Sequence, residues 1–311
     1  MDEQKDILPQ EDATTQQPPK RTMSKGVYYA LLIIFAGVFL LSAAYVGNYF
    51  MMTGDAQQDY ADLEDLYLQG NQQTIPTQPS GIPGVKPSTP QGPVMLPSLK
   101  PIYELNHDTV GYIRFDSAVG VSYPVMQSPY DEDFYLHHQF DKTPNGEVAI
   151  GCPYVPLECD VFAPSDNIMI CGHYLKTGGM FAPLHKYQDQ KFWEEHQTFT
   201  FDTLYEKHTY QIFAVFKTME RQFLDDGTPY GYPFHLSVNF DSKEAFDQYI
   251  RDVKGYAFDY GGYQGWPCIE TDIVPQYGDK LLCVYTCEYS TRDPYTNEYD
   301  GRLVIMAVRI D

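Results

Sequence analysis

The longest apolar stretch of the chain lies near its N-terminus. No charged side chain occurs between Gly26 and Gly54, and residues 27–50 (VYYALLIIFAGVFLLSAAYVGNYF) are almost wholly apolar. A helix of this length extends roughly 36 Å at ~1.5 Å per residue, which exceeds the ~30 Å hydrocarbon core of a bilayer. The pattern therefore predicts a transmembrane anchor over residues 27–50.

The charges on either side of this run predict its orientation. Three cations precede it between residues 20 and 25, and five carboxylates follow it between residues 55 and 65. Basic residues stay on the cytoplasmic side of a membrane. Residues 1–26 are therefore expected to be a cytoplasmic tail and all later residues to be extracellular. A cleaved signal peptide is the alternative, because residues 42–44 (SAA) resemble a cleavage site, but the apolar run continues past them.

Residues 51–100 are expected to form an extracellular spacer rich in proline and glutamine. Within it, residues 55–70 have a helix-compatible composition and predict a short helix. Residues 71–101 contain eight prolines together with Gln, Thr, Ser and Gly. Such a composition gives an extended segment that builds no core. Residues 101–311 then have the size of one domain.

The remainder of the chain alternates short β-type runs with polar or Gly/Pro-containing segments. The runs are VGYIRF (110–115), SYPVMQ (122–127), EVAIGC (147–152), NIMICGH (167–173), FTFDTLY (199–205), TYQIFAVFKTM (209–219), KLLCVYTC (280–287) and RLVIMAVRI (302–310). Many short strands with few helices indicate a mainly β barrel or sandwich.

Two helices are predicted among these strands, around residues 181–195 and 242–255. In the second, Ser242 is a plausible N-cap and Gly255 a reasonable stop. Apolar side chains recur there at helical spacing and define one buried face, formed by Phe246, Tyr249, Ile250 and Val253.

Composition narrows the possible functions. The 311 residues include 21 Lys and Arg against 42 Asp and Glu, for a formal net charge of −21. Such an acidic chain is a poor candidate for binding nucleic acid or anionic membrane surfaces. The 27 Tyr and 18 Phe residues suit β-strands and a surface that handles peptides.

Six cysteines occur, and none has the CxxC spacing of a zinc site. They are Cys152, Cys159, Cys171, Cys268, Cys283 and Cys287. Cys152 and Cys159 are close enough in sequence to bridge a local loop, and two ordinary thiols are the alternative.

Three reactive side chains stand at the ends of predicted strands. Cys287 ends one strand, His173 follows another directly after Gly172, and Arg302 begins the last strand. A thiol, an imidazole and a guanidinium are the groups that break an amide through a thioester. Consecutive strands usually lie side by side, so a hairpin would put Cys287 and Arg302 on one rim, with Arg292 as a competing guanidinium. A structural thiol, a structural histidine and a surface cation are the ordinary alternatives.

Residues 98–311 resemble the catalytic domain of sortases, the cysteine transpeptidases of Gram-positive cell walls. The matching pieces, in order, are HDTVGYIRF, SYPVMQ, DNIMICGH, GGMFAPLHKY, YQIFAVF, YGDKLLCVYTCEY and DGRLVIMAVRI. The helix predicted at 242–255, before the cysteine strand, is typical of class B sortases. The chain is therefore identified as most similar to that class.

The chain departs from the family pattern at four places, one of which is the idiosyncratic stretch 152–166. The usual Thr-Leu-x-Thr-Cys is represented by residues 283–287 (CVYTC), in which only the last two positions hold. Cys171 stands where class B enzymes commonly have Tyr before Gly-His, and the loop from Cys287 to Arg302 is longer than usual. These departures bear on substrate choice more than on chemistry.

The resemblance implies an eight-stranded closed β-barrel with a few helices, and catalysis by Cys287, His173 and Arg302 without a metal or organic cofactor. Cys287 is expected to attack a threonine carbonyl in the C-terminal sorting signal of a secreted protein. Arg302 would stabilise the oxyanion or orient the peptide, and His173 would protonate the leaving amine. An amine of peptidoglycan or a pilin lysine would then resolve the thioester.

Two other functions stay open at this point. A cysteine peptidase would use the same residues but hydrolyse the thioester with water. A membrane-tethered binding domain without catalysis would carry the fold but form no adduct at Cys287.

Overall fold

The computed structural model describes residues 24–73, 92–146, 150–220, 227, 231–255, 259–260, 263–264, 268–290 and 299–311. The chain divides into two compact units, one ending at Met51 and the other running from Met52 to Asp311. Helix α1 (Lys25–Asn71, 47 residues) contains the apolar run predicted over 27–50. Of the described helices, it is the one long and apolar enough to cross a membrane, by length and composition.

The second half of α1 packs on the domain that follows it. Its buried positions recur every three or four residues and so share one helix face: Thr53, Ala56, Tyr60, Leu63, Tyr67 and Gly70. The short helix predicted over 55–70 is thus the end of a longer one. Residues 51–71 of the predicted spacer lie in α1, and residues 74–91 lie outside the described residues.

The domain is built on one large sheet and one small one. The strands are β1 (Thr109–Arg114), β2 (Ser122–Met126), β3 (Asn167–Cys171), β4 (Thr198–Thr203), β5 (Thr209–Met219), β6 (Asp259–Tyr260), β7 (Tyr263–Gln264), β8 (Leu281–Glu288) and β9 (Gly301–Arg309). The large sheet has the order β2-β1-β4-β5-β9-β8-β3, and β6 pairs with β7. Strands β3 and β8 are parallel, and the other pairs are antiparallel. Seven of the eight predicted runs form strands of this sheet.

The prediction of a closed eight-stranded barrel is wrong, because the large sheet has seven strands and is open between β2 and β3. The gap is spanned by Tyr154, which makes isolated bridges to Met126 and Cys171. Its amide donates to the Cys171 carbonyl (2.9 Å), and the Val155 amide donates to the Met126 carbonyl (2.8 Å). A single residue therefore bridges the two edges that an eighth strand would close.

Two prolines explain why this segment stays so short. Pro153 and Pro156 flank the bridging residues, and proline lacks the amide hydrogen that a strand ladder needs. The strand predicted over 147–152 does not form at residues 150–152. Residues 147–149 lie outside the described residues.

The helices of the domain are short, apart from one. They are α2 (Lys100–Leu105), α3 (Phe134–His137), α4 (Gln190–Glu195) and α5 (Lys243–Lys254), with 3₁₀ turns at Ala182–Gln188 and Phe234–Leu236. The single helix predicted over 181–195 is divided, because Asp189 has extended backbone geometry and its carboxylate caps α4 by accepting from the Phe192 amide (2.9 Å). The helix predicted over 242–255 is confirmed as α5. The Ser242 hydroxyl caps it by accepting from the Ala245 amide (3.2 Å).

Candidate active site

The register of the β8–β9 hairpin brings Cys287 and Arg302 together, because they are direct partners across the two strands. Directly opposed residues of an antiparallel pair lie on the same face, with Cβ atoms ~4.5–5.5 Å apart. Glycine precedes Arg302 for a steric reason: a Cβ on Gly301 would lie 2.7 Å from the carbonyl oxygen of Glu288. The thiol and the guanidinium therefore share one rim of the sheet.

The Arg302 guanidinium is mostly buried, with 17% of its side chain exposed. It forms an ion pair with Glu220, and its Nη1 donates to the Gly301 carbonyl (3.0 Å). Burial alone would lower the pKa of Arg302, but Cys287, Glu220 and Cys171 outweigh it and raise that pKa. The cation is thus held in place and stays charged. Arg292, its competitor, lies outside the described residues.

His173 leaves the sheet at the same end as Cys287. The last pair of the parallel β3–β8 ladder joins Cys171 to Tyr285, and the Gly172 amide donates to the Tyr285 carbonyl (3.2 Å). His173 and Cys287 each follow their paired residue by two positions. The structure therefore places all three predicted residues at the same end of the neighbouring strands β3, β8 and β9.

The backbone before His173 requires glycine. A Cβ on Gly172 would overlap the ring of Phe181, which is fully buried. The Phe181 amide in turn donates to the His173 carbonyl (2.9 Å). The exit of β3 is therefore held by packing as well as by the sheet.

The imidazole of His173 has a defined tautomer. Its Nε2 lies 2.6 Å from the carbonyl oxygen of Leu136, and because a carbonyl only accepts, Nε2 carries the hydrogen. Burial lowers the pKa of His173 even though the bond to Leu136 opposes that shift. The neutral ring is favoured, and Nδ1 is the nitrogen that can accept a proton.

Sequence reasoning did not single out the aromatic side chains around Cys287. His185 Nε2 donates to the Cys287 carbonyl (3.1 Å), and burial together with the nearby Cys287 side chain raises the pKa of Tyr289. Tyr174 joins these two rings, with centroids 4.6 Å from His185 and 5.3 Å from Tyr289. The available signals were weak: His185 is within GGMFAPLHKY, and the two tyrosines follow His173 and Cys287 closely.

No family model matches this chain. It is 26% identical over 277 residues to sortase B of Listeria monocytogenes, covering 89% of this chain and 94% of that protein. It is 24% identical over 211 residues to sortase B of Staphylococcus aureus, covering 68% and 74% respectively. Among solved structures, a Staphylococcus aureus sortase B–substrate complex matches with a TM-score of 0.62 at 20% identity, covering 84% of this chain and 99% of that one.

The chain is similar to class B sortases. The resemblance seen in the dispersed motifs is thereby confirmed, and the fold is a sortase fold with a seven-stranded open sheet. These relatives imply a cysteine transpeptidase.

The chain has five cysteines besides Cys287. Burial raises their pKa values, to about 11 for Cys159 and Cys268, to about 12 for Cys152 and Cys171, and well above the usual value for Cys283. The thiolate is the nucleophilic form, so thiols with raised pKa values are poor nucleophiles. All six cysteines are free, which includes the pair Cys152 and Cys159.

A cavity of about 460 Å³ adjoins this edge of the sortase fold. Arg302, Tyr285 and Phe234 contribute to its walls, and its carboxylates are Glu132, Asp133, Glu158 and Glu220. Burial raises the pKa of Glu132, and the negative charges of Glu158 and Asp133 add to that effect. Among the described residues, no group of three or more His, Cys, Asp or Glu side chains could hold a metal ion.

Proposed function

We propose that this protein is a membrane-anchored cysteine transpeptidase that cleaves a C-terminal sorting signal of secreted proteins through a thioester. The observation that carries the proposal is the direct pairing of Cys287 with Arg302 at the edge where His173 leaves β3. Similarity to class B sortases supports the reaction class.

In the first half-reaction, the Cys287 sulfur attacks the carbonyl carbon of a threonine in the signal. His173 Nδ1 takes the thiol proton, which its neutral resting state permits. The guanidinium of Arg302 donates hydrogen bonds to the oxyanion or orients the peptide, since a rigid, always-charged fork suits either role. The carbon–nitrogen bond then breaks, and the imidazolium gives its proton to the leaving amine.

In the second half-reaction, an amine attacks the thioester carbonyl and Cys287 leaves as the thiolate. His173 removes the proton of the attacking amine, and that proton returns to the sulfur, so the site ends in its starting state. The acceptor is an amine of peptidoglycan or a lysine of a pilin subunit. The cavity lined by Arg302 supports binding of a peptide beside that guanidinium.

The proposed placement in the cell follows from α1. The exposed apolar residues 27–50 serve as the anchor, residues 1–26 lie in the cytoplasm, and the catalytic domain of residues 101–311 lies outside the cell. The cations before the apolar run and the carboxylates after it support this orientation.

The test uses the full chain in lipid nanodiscs with threonine-containing signal peptides. The acceptor amine is supplied as either an oligoglycine or a lysine peptide. Mass spectrometry is expected to detect a thioester at Cys287 and a transfer product that depends on the amine. Cys287→Ala should abolish both while its circular dichroism spectrum stays unchanged, because the substitution removes only the nucleophile.

Other outcomes would favour the other functions. Cleavage that gives only the hydrolysed peptide, whatever amine is supplied, would indicate a cysteine peptidase. Absence of any Cys287 adduct with a thiol-reactive signal peptide would indicate a binding domain. Activity retained in Cys287→Ala would contradict the assignment of the nucleophile.

A further inference from the structure

The imidazole of His173 is held by two backbone segments, residues 135–136 and residues 151–152, here called the histidine seat. The Leu136 carbonyl accepts from His173 Nε2 (2.6 Å). Gly151 also lies against the ring, because a Cβ there would come within 3.1 Å of His173 Cδ2. The two segments are joined by a hydrogen bond from the Cys152 amide to the Tyr135 carbonyl (3.0 Å).

Tyr60, on the second half of α1, bonds to this seat from outside the sheet. Its hydroxyl donates to the Gly151 carbonyl (2.8 Å), across 91 positions of the chain. Because that uses the hydroxyl's one proton, the Cys152 thiol donates to the hydroxyl oxygen (3.1 Å). The Tyr60 side chain is buried, and burial raises its pKa well above the usual value, so the hydroxyl remains a donor.

We propose that Tyr60 is a positioning residue for the reaction: its hydroxyl fixes residues 151–152 against the imidazole and so fixes the orientation in which His173 exchanges its proton. This deepens the proposed function and rests on it, since it presumes that His173 transfers the proton. Tyr60 touches neither substrate nor the reacting atoms in this scheme, and it acts through the seat.

The same helix supplies a matched control in Tyr67. It lies two turns further along on the same buried face, and its hydroxyl donates to Asp202 Oδ2 at the same distance (2.8 Å). Its ring stacks on Tyr112, with centroids 3.9 Å apart. Tyr67 therefore attaches α1 to β1 and β4 and makes no bond to the histidine seat.

The experiment compares Tyr60→Phe with Tyr67→Phe in the full chain. Each variant loses one buried hydroxyl of α1 and keeps its ring, so similar losses of thermal stability are expected. Tyr60→Phe should lower kcat for transfer about tenfold with KM nearly unchanged, as loss of an orienting partner does. Tyr67→Phe should leave kcat within about twofold of wild type. All rates are measured well below the unfolding midpoint of each variant.

A second measurement does not depend on activity. NMR titration of the His173 imidazole should show its pKa rising toward the ordinary histidine value in Tyr60→Phe, because a loosened seat admits water and relieves the burial that lowers it. In Tyr67→Phe the titration should match wild type. Equal kcat and equal titrations in the two variants would overturn the positioning role.

The failure of the proposed function would look different. If His173→Ala transferred peptide at the wild-type rate, the proton-transfer role of His173 would fail, whatever the two tyrosine variants show. If His173→Ala is inactive while Tyr60→Phe behaves like Tyr67→Phe, only the positioning role of Tyr60 fails.

Discussion

The thiol and the guanidinium of the candidate site are held by two strands adjacent in sequence, whereas the imidazole is held by four segments far apart in the chain. Cys287 and Arg302 are opposed in a continuous antiparallel ladder. His173 depends on the exit of β3, on residues 135–136, on residues 151–152 and, through them, on Tyr60.

The β8–β9 hairpin and the histidine seat should respond differently to substitutions. A shift of one residue in the hairpin would turn every side chain of one strand to the other face. Because nearly every position of β8 and β9 is buried, such a shift would disrupt packing on both faces, and the register is strongly held. The histidine seat has no such ladder and depends on a few hydrogen bonds between loops and a helix. Substitutions in the hairpin should therefore change the chemistry itself, and substitutions at the seat should change how the histidine titrates.

Among the variants that keep the nucleophile, the largest effect is expected for His173→Ala, because general acid–base catalysis contributes roughly 10²–10⁴-fold to rates. The rate of peptide transfer checks this directly. His185→Ala is the control, since His185 donates to the Cys287 backbone carbonyl and is also neutral through burial. The loss of transfer rate in His185→Ala should be much smaller than in His173→Ala. A greater loss in His185→Ala would make His185 the proton-transferring residue and break the comparison.

A smaller loss is expected for Arg302→Lys, which keeps the charge but removes the fork held by Glu220. Loss of an oxyanion donor lowers kcat roughly 10²–10³-fold. Arg309→Lys is the matched control, because it lies on the same strand and pairs with Asp311 (3.8 Å) at the opposite end. The kcat of Arg292→Lys should also be measured. A greater loss of kcat in Arg292→Lys than in Arg302→Lys would assign the oxyanion-stabilising role to Arg292.

The smallest expected effect is on the free energy of unfolding, which should fall at mildly acidic pH. Burial lowers the pKa of His173 in the folded state, and unfolding restores a value near ~6.5. As pH falls through that value the unfolded chain binds a proton that the folded state does not, so stability is lost as pH falls. His185 and His235 act in the same direction. Asp166 and Glu288, whose pKa values are lowered, lose their contributions only at more acidic pH.

Urea unfolding at about pH 7.5 and about pH 5.5 measures this loss. His173→Gln should lose less stability between the two pH values than wild type, because one titrating group is gone. Arg302→Gln should lose as much as wild type, since a guanidinium stays charged throughout. An unchanged loss in His173→Gln would show that the seat does not hold the ring in its neutral form.

Local patterns predicted most of the fold. Seven β-type runs and α5 formed where the apolar runs and the helical periodicity placed them, because these segments carry the side chains that the core buries. The predictions that were wrong concern places where a capping side chain or a proline overrides the pattern of apolar residues. Asp189 divides the predicted helix at 181–195 by capping α4, and Pro153 and Pro156 leave the sheet open where a closing strand was expected.

By itself, the sequence determined the apolar helix, the strand that ends just after Cys287, the strand that begins just before Arg302 and the glycine exit before His173. Consecutive strands pair through contacts close in the chain, and so the shared rim of Cys287 and Arg302 was predictable. Only the tertiary structure decided what surrounds them. The bonds from Tyr60 to Gly151 and from His185 to Cys287 span 91 and 102 positions. No local periodicity reports such contacts, because they arise only when separate segments pack together.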